Sequence, residues 1–228
     1  LTPGVFGRSE SWWRDEVLDD AEWRRQGAGV RFIPAVEVDG RIRGYAFYRW
    51  RTDWDHLGPR NIVEVREVVA PDPAVELTLW SFLASLDLMG TLKAQNLPVD
   101  TPLFGRMDDP RRLGLTIGDA LWVRILDIPA ALEARTWSAD DDLVLEVIDD
   151  VLPAVGGRFR LSIREGRATV TRTEAAPDAT LGIAALGSLY LGGIRAADLA
   201  RAGHLVAADP ATPGRLDALN VLPRQPWC

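Results

Sequence analysis

A single cysteine, Cys228, among 228 residues excludes any disulfide within the chain. Histidine is almost as scarce. His56 and His204 lie far apart, and no His/Cys spacing resembles a zinc site. No apolar run approaches the ~20 residues that a membrane helix needs, so no membrane association is expected. Leu1-Thr2-Pro3-Gly4 lacks the basic-then-apolar pattern of a secretory signal, which points to a cytoplasmic protein. The chain does not open on methionine, as expected of a piece of a longer protein. Basic charge is also short. Lys and Arg number 26 against 33 Asp and Glu, for a net charge of −7. That balance excludes a dedicated nucleic-acid binder, which needs a basic footprint on phosphate. It suits a cationic partner, and equally a merely soluble surface.

Motifs for catalysis are missing too. None of the serines sits in a nucleophile elbow. Gly156-Gly157 and Gly192-Gly193 lack the spaced glycines and helix start of a phosphate cradle and read as turns. Asp140-Asp141-Asp142 is an acid run, but three consecutive side chains point different ways, so a solvated cap or loop is favoured over a metal site.

What is present is a core: 47% of residues are hydrophobic and 26% charged, ordinary for a globular α/β chain. The pattern divides near residues 115–120. In the first segment, Trp12 to Arg25 reads as a helix with Ser9 or Ser11 as its cap. Strand-like runs follow at 29–38 and 41–50, joined by Asp39-Gly40, a strong hairpin signal. A third strand is expected at 61–69 and a helix at 74–88. Residues 97–102 read as a loop.

In the second segment, Leu121, Val123 and Ile125 alternate as in a strand over 119–127. Ile128 to Arg135 is a helix with Pro129 in its first turn. Strands are expected at 143–148, 159–163 and 168–171, the last two paired around Glu165-Gly166. A short strand at 179–183 and helices at 184–191, 196–202 and 213–220 complete an α+β layout.

Tryptophan is abundant, nine in all, and Trp12, Trp13, Trp23, Trp50, Trp54 and Trp80 fall in the first segment. Most suit a core. One beside acids also suits a wall that stacks a flat or cationic ligand, and Trp13 is the candidate.

Four stretches carry a resemblance: Leu79-Trp-Ser-Phe-Leu-Ala-Ser-Leu-Asp87, Val99-Asp-Thr-Pro-Leu103, Asp119-Ala-Leu-Trp-Val-Arg-Ile-Leu-Asp-Ile-Pro-Ala-Ala-Leu-Glu-Ala-Arg135 and Leu186-Gly-Ser-Leu-Tyr-Leu-Gly-Gly193. In this order and spacing the chain resembles the enhanced intracellular survival (Eis) family of bacterial N-acetyltransferases. The resemblance implies a partial second GNAT-like domain at 1–118, a mixed sheet with helices. It also implies a sterol-carrier-protein-like domain at 119–228, an antiparallel sheet with helices. An N-terminal GNAT domain that binds acetyl-CoA would then be missing, leaving this chain inactive alone. Arg41, Gly44 and Ala46 match the spacing of a pyrophosphate loop, but they lie inside a strand run and not at a helix start.

The resemblance further implies transfer of acetyl from acetyl-CoA to a primary amine in a cationic substrate. Trp13 and Asp119 are carried over as acceptor-pocket residues; for Asp119 a plain strand-start cap is the alternative. The terminal α-carboxylate of Cys228 is carried over as a catalytic base, and assembly as a homo-oligomer, a hexamer, is implied. A competing reading is a lipid or sterol carrier, with Leu186, Leu189, Tyr190 and Leu191 lining a tunnel or filling a core; a purely structural domain is the third.

Overall fold

A computed structural model describes residues 2–119 and 121–227. It separates into two compact units, one of residues 5–118 with the C-terminal end, the other of residues 119–226 with the first few residues.

The unit of residues 5–118 is built on β1 (Ala35–Val38), β2 (Arg41–Arg51), β5 (Asn61–Val69) and β6 (Met89–Ala94), in the order β1-β2-β5-β6. A two-stranded ribbon, β3 (Trp54–Asp55) and β4 (Gly58–Pro59), links β2 to β5. The β1–β2 and β2–β5 pairs are antiparallel and β5–β6 is parallel. Asp39 and Gly40 close the first hairpin with φ of 51° and 70°. Both are left-handed, as a two-residue turn matching strand twist requires.

β2 is central, and its alternation sorts residues to two faces. Ala46 and Tyr48 join Val63, Val65 and Val68 of β5 in a core beneath helix α2 (Pro73–Ala84). Asp72 caps that helix, its carboxylate accepting from Ala74 N at 2.7 Å, with Pro73 preset for the first turn. Glu76, Leu79, Trp80 and Leu83 form its buried stripe, the i, i+3, i+4, i+7 spacing of one helix face. Arg66 is the extra residue of a β-bulge, since Phe47 faces Glu67 while Tyr48 faces Val65.

Several expectations are corrected here. The single helix expected from Trp12 to Arg25 is broken: α1 (Glu10–Trp12) runs into a π-turn over Trp13–Leu18, and a separate 3-10 turn covers Glu22–Arg24. The reason is Asp20. Its carboxylate accepts from the Arg31 amide at 2.9 Å and pairs with Arg49 and Arg25, which a continuous helix would not allow. The strand expected over 29–38 is regular only from Ala35, because Pro34 has no N–H for the ladder; Phe32 makes an isolated bridge to Tyr48. The helix expected to reach Leu88 ends at Ala84, and β6 follows unforeseen. As an edge strand exposed on both faces, β6 has no alternating pattern to detect.

The unit of residues 119–226 holds a five-stranded sheet ordered β11-β10-β7-β8-β9. The strands are β7 (Asp141–Ile148), β8 (Gly157–Arg164), β9 (Arg167–Arg172), β10 (Ala179–Gly182) and β11 (Leu205–Ala207). All neighbours are antiparallel except β7 and β10, which are parallel, so the sheet expected to be antiparallel is mixed. Leu143, Leu145 and Val147 alternate onto one face with Phe159, Leu161 and Ile163. That face is closed by apolar side chains of α3 (Ile128–Ala134), α4 (Ile183–Tyr190), α5 (Ala196–Arg201) and α6 (Thr212–Leu219), among them Leu132, Leu186, Leu199 and Leu216.

The strand expected over 119–127 is not formed. Among the described residues, 121–126 join no ladder and make no backbone hydrogen bond. The segment is held instead by buried Ile125, by Arg124 paired to Asp149 at 2.7 Å, and by close passage over α4, where a Cβ on Gly187 would lie 2.5 Å from the Val123 carbonyl oxygen.

That passage sets a two-sided prediction. Gly187→Ala forces backbone apart and is expected to cost about 1–3 kcal/mol in urea unfolding. Gly214→Ala, in α6 with nothing near the new methyl, is expected to be neutral or to gain up to about 1 kcal/mol. An equal effect at both sites would refute the close contact. A second prediction concerns Asp141, which clamps β7 to Arg215 of α6 at 2.6 Å and is held below the usual carboxylate range by that guanidinium. A depressed carboxylate stabilises the fold above its unfolded pKa and loses this as pH falls through the folded one. Asp141→Asn is therefore expected to melt lower than wild type at pH 7, by roughly 0.5–1 kcal/mol for a partly exposed pair. The gap should close below about pH 4.

Candidate functional site

The face of β2 opposite α2 carries Tyr45, Phe47 and Arg49. The N-terminal segment lies across it. Trp13 packs edge-on against Tyr45 and Phe47, with centroids 5.8 and 6.1 Å away, and against Trp12 at 5.9 Å. Trp13 is half-buried and Trp12 exposed. One wall of this site is therefore aromatic.

The opposite wall is charged. Glu67, directly across the ladder from Phe47, accepts from the Tyr45 hydroxyl at 3.0 Å. It also receives both terminal nitrogens of Arg8, one at 2.8 Å. The Arg8 guanidinium in turn sits 4.4 Å from the Trp12 ring centre and 5.3 Å from Trp13. Its hydrogen bonds to Glu67 raise the Arg8 pKa above its ordinary value. Burial, and then the charge of Glu67, pushes the Tyr45 phenol well above its own, so Tyr45 is a neutral donor here.

Beside this cluster, Asp20 gathers Arg49, Arg25 and the Arg31 amide. Burial opposes its charge, but the Arg31 amide and Arg49 outweigh burial and keep the carboxyl ionised below its usual range. Arg31 is shifted down by burial and by the neighbouring charge of Arg49. Chemically the face offers flat stacking surfaces, a fixed carboxylate and a phenol oxygen that accepts from Arg8 at 3.2 Å while its proton goes to Glu67. Such a set recognises a cation; it holds no nucleophile.

Of the residues singled out in the sequence, Trp13 belongs to this face. Asp119 is exposed and belongs to the other unit. Cys228 lies outside the described residues. The two described residues, Trp13 and Asp119, fall in different units. Arg8, Tyr45 and Glu67 were not foreseen. A signal for them existed: an acid inside the apolar run 61–69, and Tyr45 and Phe47 two apart on one strand. Without the register across β2 and β5, nothing tied them to Trp13.

The other candidates resolve plainly. Asp141 and Asp142 are engaged by Arg215 and Arg164, and Asp140 accepts from the Glu165 amide. No group of three His, Cys, Asp or Glu suited to a metal occurs among the described residues. Leu186 and Leu189 fill the core of the 119–226 unit, and the Tyr190 hydroxyl donates to the Ala131 carbonyl at 3.1 Å. Among the described residues no helix is long and apolar enough to cross a membrane.

The fit of a pyrophosphate is testable at the strand-to-helix turn between β5 and α2. That turn is Ala70-Pro71-Asp72-Pro73. Pro73 supplies no N–H, and the Asp72 carboxylate already takes the Ala74 amide. A bound phosphate would face a fixed negative charge where it needs converging donors, so this turn does not fit the group. Arg41, Gly44 and Ala46 lie within β2.

Comparisons with known proteins identify the family of both segments. Residues 4–125 match a family model described as an acetyltransferase (GNAT) domain, and residues 128–228 match a sterol carrier protein domain. The GNAT match corrects the expectation of a C-terminal part from which the acetyltransferase-type domain is missing. N-acetyltransferase Eis of Mycobacterium tuberculosis is 40% identical over 220 residues, 95% of this chain and 50% of the relative. An N-acetyltransferase of Streptomyces avermitilis is 40% identical over 203 residues, 89% of this chain and 49% of the relative. The crystal structure of Eis1 from Mycobacterium abscessus superposes with a TM-score of 0.74 at 32% identity, covering 96% of this chain and 54% of that one. The chain spans about half the length of the relatives it matches.

Proposed function

This chain belongs to the GNAT acetyltransferase family, in the Eis-like pairing with a sterol-carrier-protein-like domain, and from that premise we propose that it forms the acceptor side of an N-acetyltransferase that moves acetyl from acetyl-CoA to a primary amine. The observation that carries this reading is the Trp13 face. Indoles, a phenol and the Glu67 carboxylate converge there, a chemistry that selects a cation over a neutral molecule.

Each residue then has a role in the proposal. Trp13 stacks on the cationic acceptor. Asp119 adds negative charge that raises the local concentration of amine. An amine attacks only as the free base, so a proton must leave it before transfer. The working protein is a cytoplasmic homo-oligomer, with a hexamer as the expected form, and domain limits of 1–118 and 119–228. The substrate, reaction and assembly belong to the whole protein.

The test is steady-state acetyl transfer from acetyl-CoA to an aminoglycoside and polyamine panel. Trp13→Ala is expected to lower kcat/KM for cationic amines about tenfold, mainly through KM, the size of one partly desolvated cation–π contact. The KM for acetyl-CoA should stay unchanged. Asp119→Asn is expected to lower kcat/KM less at high salt than at low salt. Unchanged acceptor kinetics in both variants, or no transfer to any amine, would refute the reading.

A further inference from the structure

The residues around Arg8 form two sets with different mechanical support. Tyr45 and Glu67 belong to paired strands, fixed by the β2–β5 ladder. Trp13 is wedged against Tyr45 and Phe47. Arg8, by contrast, arrives on residues 5–8, which have no regular structure and, among the described residues, no backbone hydrogen bond. Val5 and Phe6 on the same arm are exposed, Phe6 at 70%. Tyr45, Glu67 and Trp13 are thus held by ladder and packing, whereas Arg8 is held by its side-chain contacts alone.

The occupant also makes every contact that a bound cation would. Its two terminal nitrogens meet both oxygens of Glu67, the bidentate geometry that favours guanidinium over ammonium. One of them also donates to the Tyr45 hydroxyl at 3.2 Å. Its central carbon lies within cation–π range of both indoles. The indole planes stand at 88° to each other, so they form two sides of a corner, with the carboxylate and phenol beside it.

We propose that Trp12, Trp13, Tyr45 and Glu67 are a cage for a guanidinium or alkylammonium group, and that Arg8 is its built-in, displaceable occupant. The proposal deepens the acceptor-side reading: it names the cationic group taken and adds self-occupation as control over the site. A tethered occupant acts at an effective concentration on the order of mM. An outside cation therefore competes poorly until the arm is lifted, and binding of the arm and of the acceptor exclude each other.

Removing the occupant tests this. The 228-residue chain is titrated with methylguanidinium, with methylurea as the neutral control, following tryptophan emission and the indole N–H signals of Trp12 and Trp13. Acetyl-CoA is left out, so a failed cage leaves acetyl transfer untouched, and absent transfer leaves the cage standing. Arg8→Ala is expected to bind methylguanidinium at least about tenfold more tightly than wild type, the loss of a competitor at effective mM concentration. Glu67→Gln added to Arg8→Ala is expected to erase the gain, and methylurea to bind neither. Equal affinity in wild type and Arg8→Ala, or a gain that survives Glu67→Gln, would overturn the proposal. Should Arg8→Ala lose its cooperative melt, wild type decides: a saturable shift of the Trp12 and Trp13 signals with methylguanidinium alone supports the cage. The same linear drift with methylguanidinium and methylurea refutes it.

Discussion

The two-faced alternation of β2 is the constraint from which the rest of the 5–118 unit follows. Eleven residues form one strand between two neighbours, and strand geometry sends successive side chains to opposite sides. Ala46 and Tyr48 go to the core under α2. Tyr45, Phe47 and Arg49 are thereby committed to the other face. A one-residue slip would bury Arg49 under α2 and expose the core set. The Asp39-Gly40 turn and the bulge at Arg66 hold the register against it. The bulge also has a chemical effect, because it sets Glu67 across from Phe47 and within reach of the Tyr45 hydroxyl.

Arginine then joins what the strands expose. On this face Glu67 takes Arg8, Asp20 takes Arg49, and Glu64 takes Arg51 at 3.2 Å. In the other unit Glu146 takes Arg158 at 2.9 Å and Asp141 takes Arg215. A planar fork satisfies two carboxylate oxygens or one oxygen plus a carbonyl, as Arg49 does with Asp20 and the Gly29 carbonyl. A chain with one lysine and a net charge of −7 is thus laced by specific forks, not by diffuse attraction. Most of these pairs are partly exposed and contribute modestly to stability; the Arg8 and Asp20 pairs also place segments that have no ladder of their own.

That division explains what the sequence makes legible. Local rules carried the hairpin at Asp39-Gly40, the helix capped by Asp72, the turn at Glu165-Gly166 and the alternating core of β7 and β8, because each depends on neighbours within a few residues. The break after Leu18 was not legible, since Asp20 answers to Arg31 and Arg49, residues 11 and 29 positions away. The strand expected over 119–127 failed for the opposite reason: the alternation is real, but it is used for anchoring by Ile125 and Arg124, and the described residues 121–126 have no partner strand. Of the proposed face, Trp13 stood out in the sequence as an indole beside acids and through the motif resemblance, whereas Tyr45 and Glu67 required the cross-strand register and Arg8 the path of the segment before α1.

The same logic separates the two ends of the β5–α2 region. In a fold that binds phosphate at a helix start, the first amides must be free. Here Asp72 and Pro73 use that position to stabilise the helix, one by capping and one by removing a donor, and Glu76 behind them is buried against Thr101 and Trp80. The helix start has been given over to holding α2 in place. The opposite face of β2 keeps its polar groups grouped around a single cation. In this unit, then, the helix start is occupied by its own cap, while on the other face of β2 the carboxylate, the phenol and the indoles all turn to one arginine of the N-terminal segment.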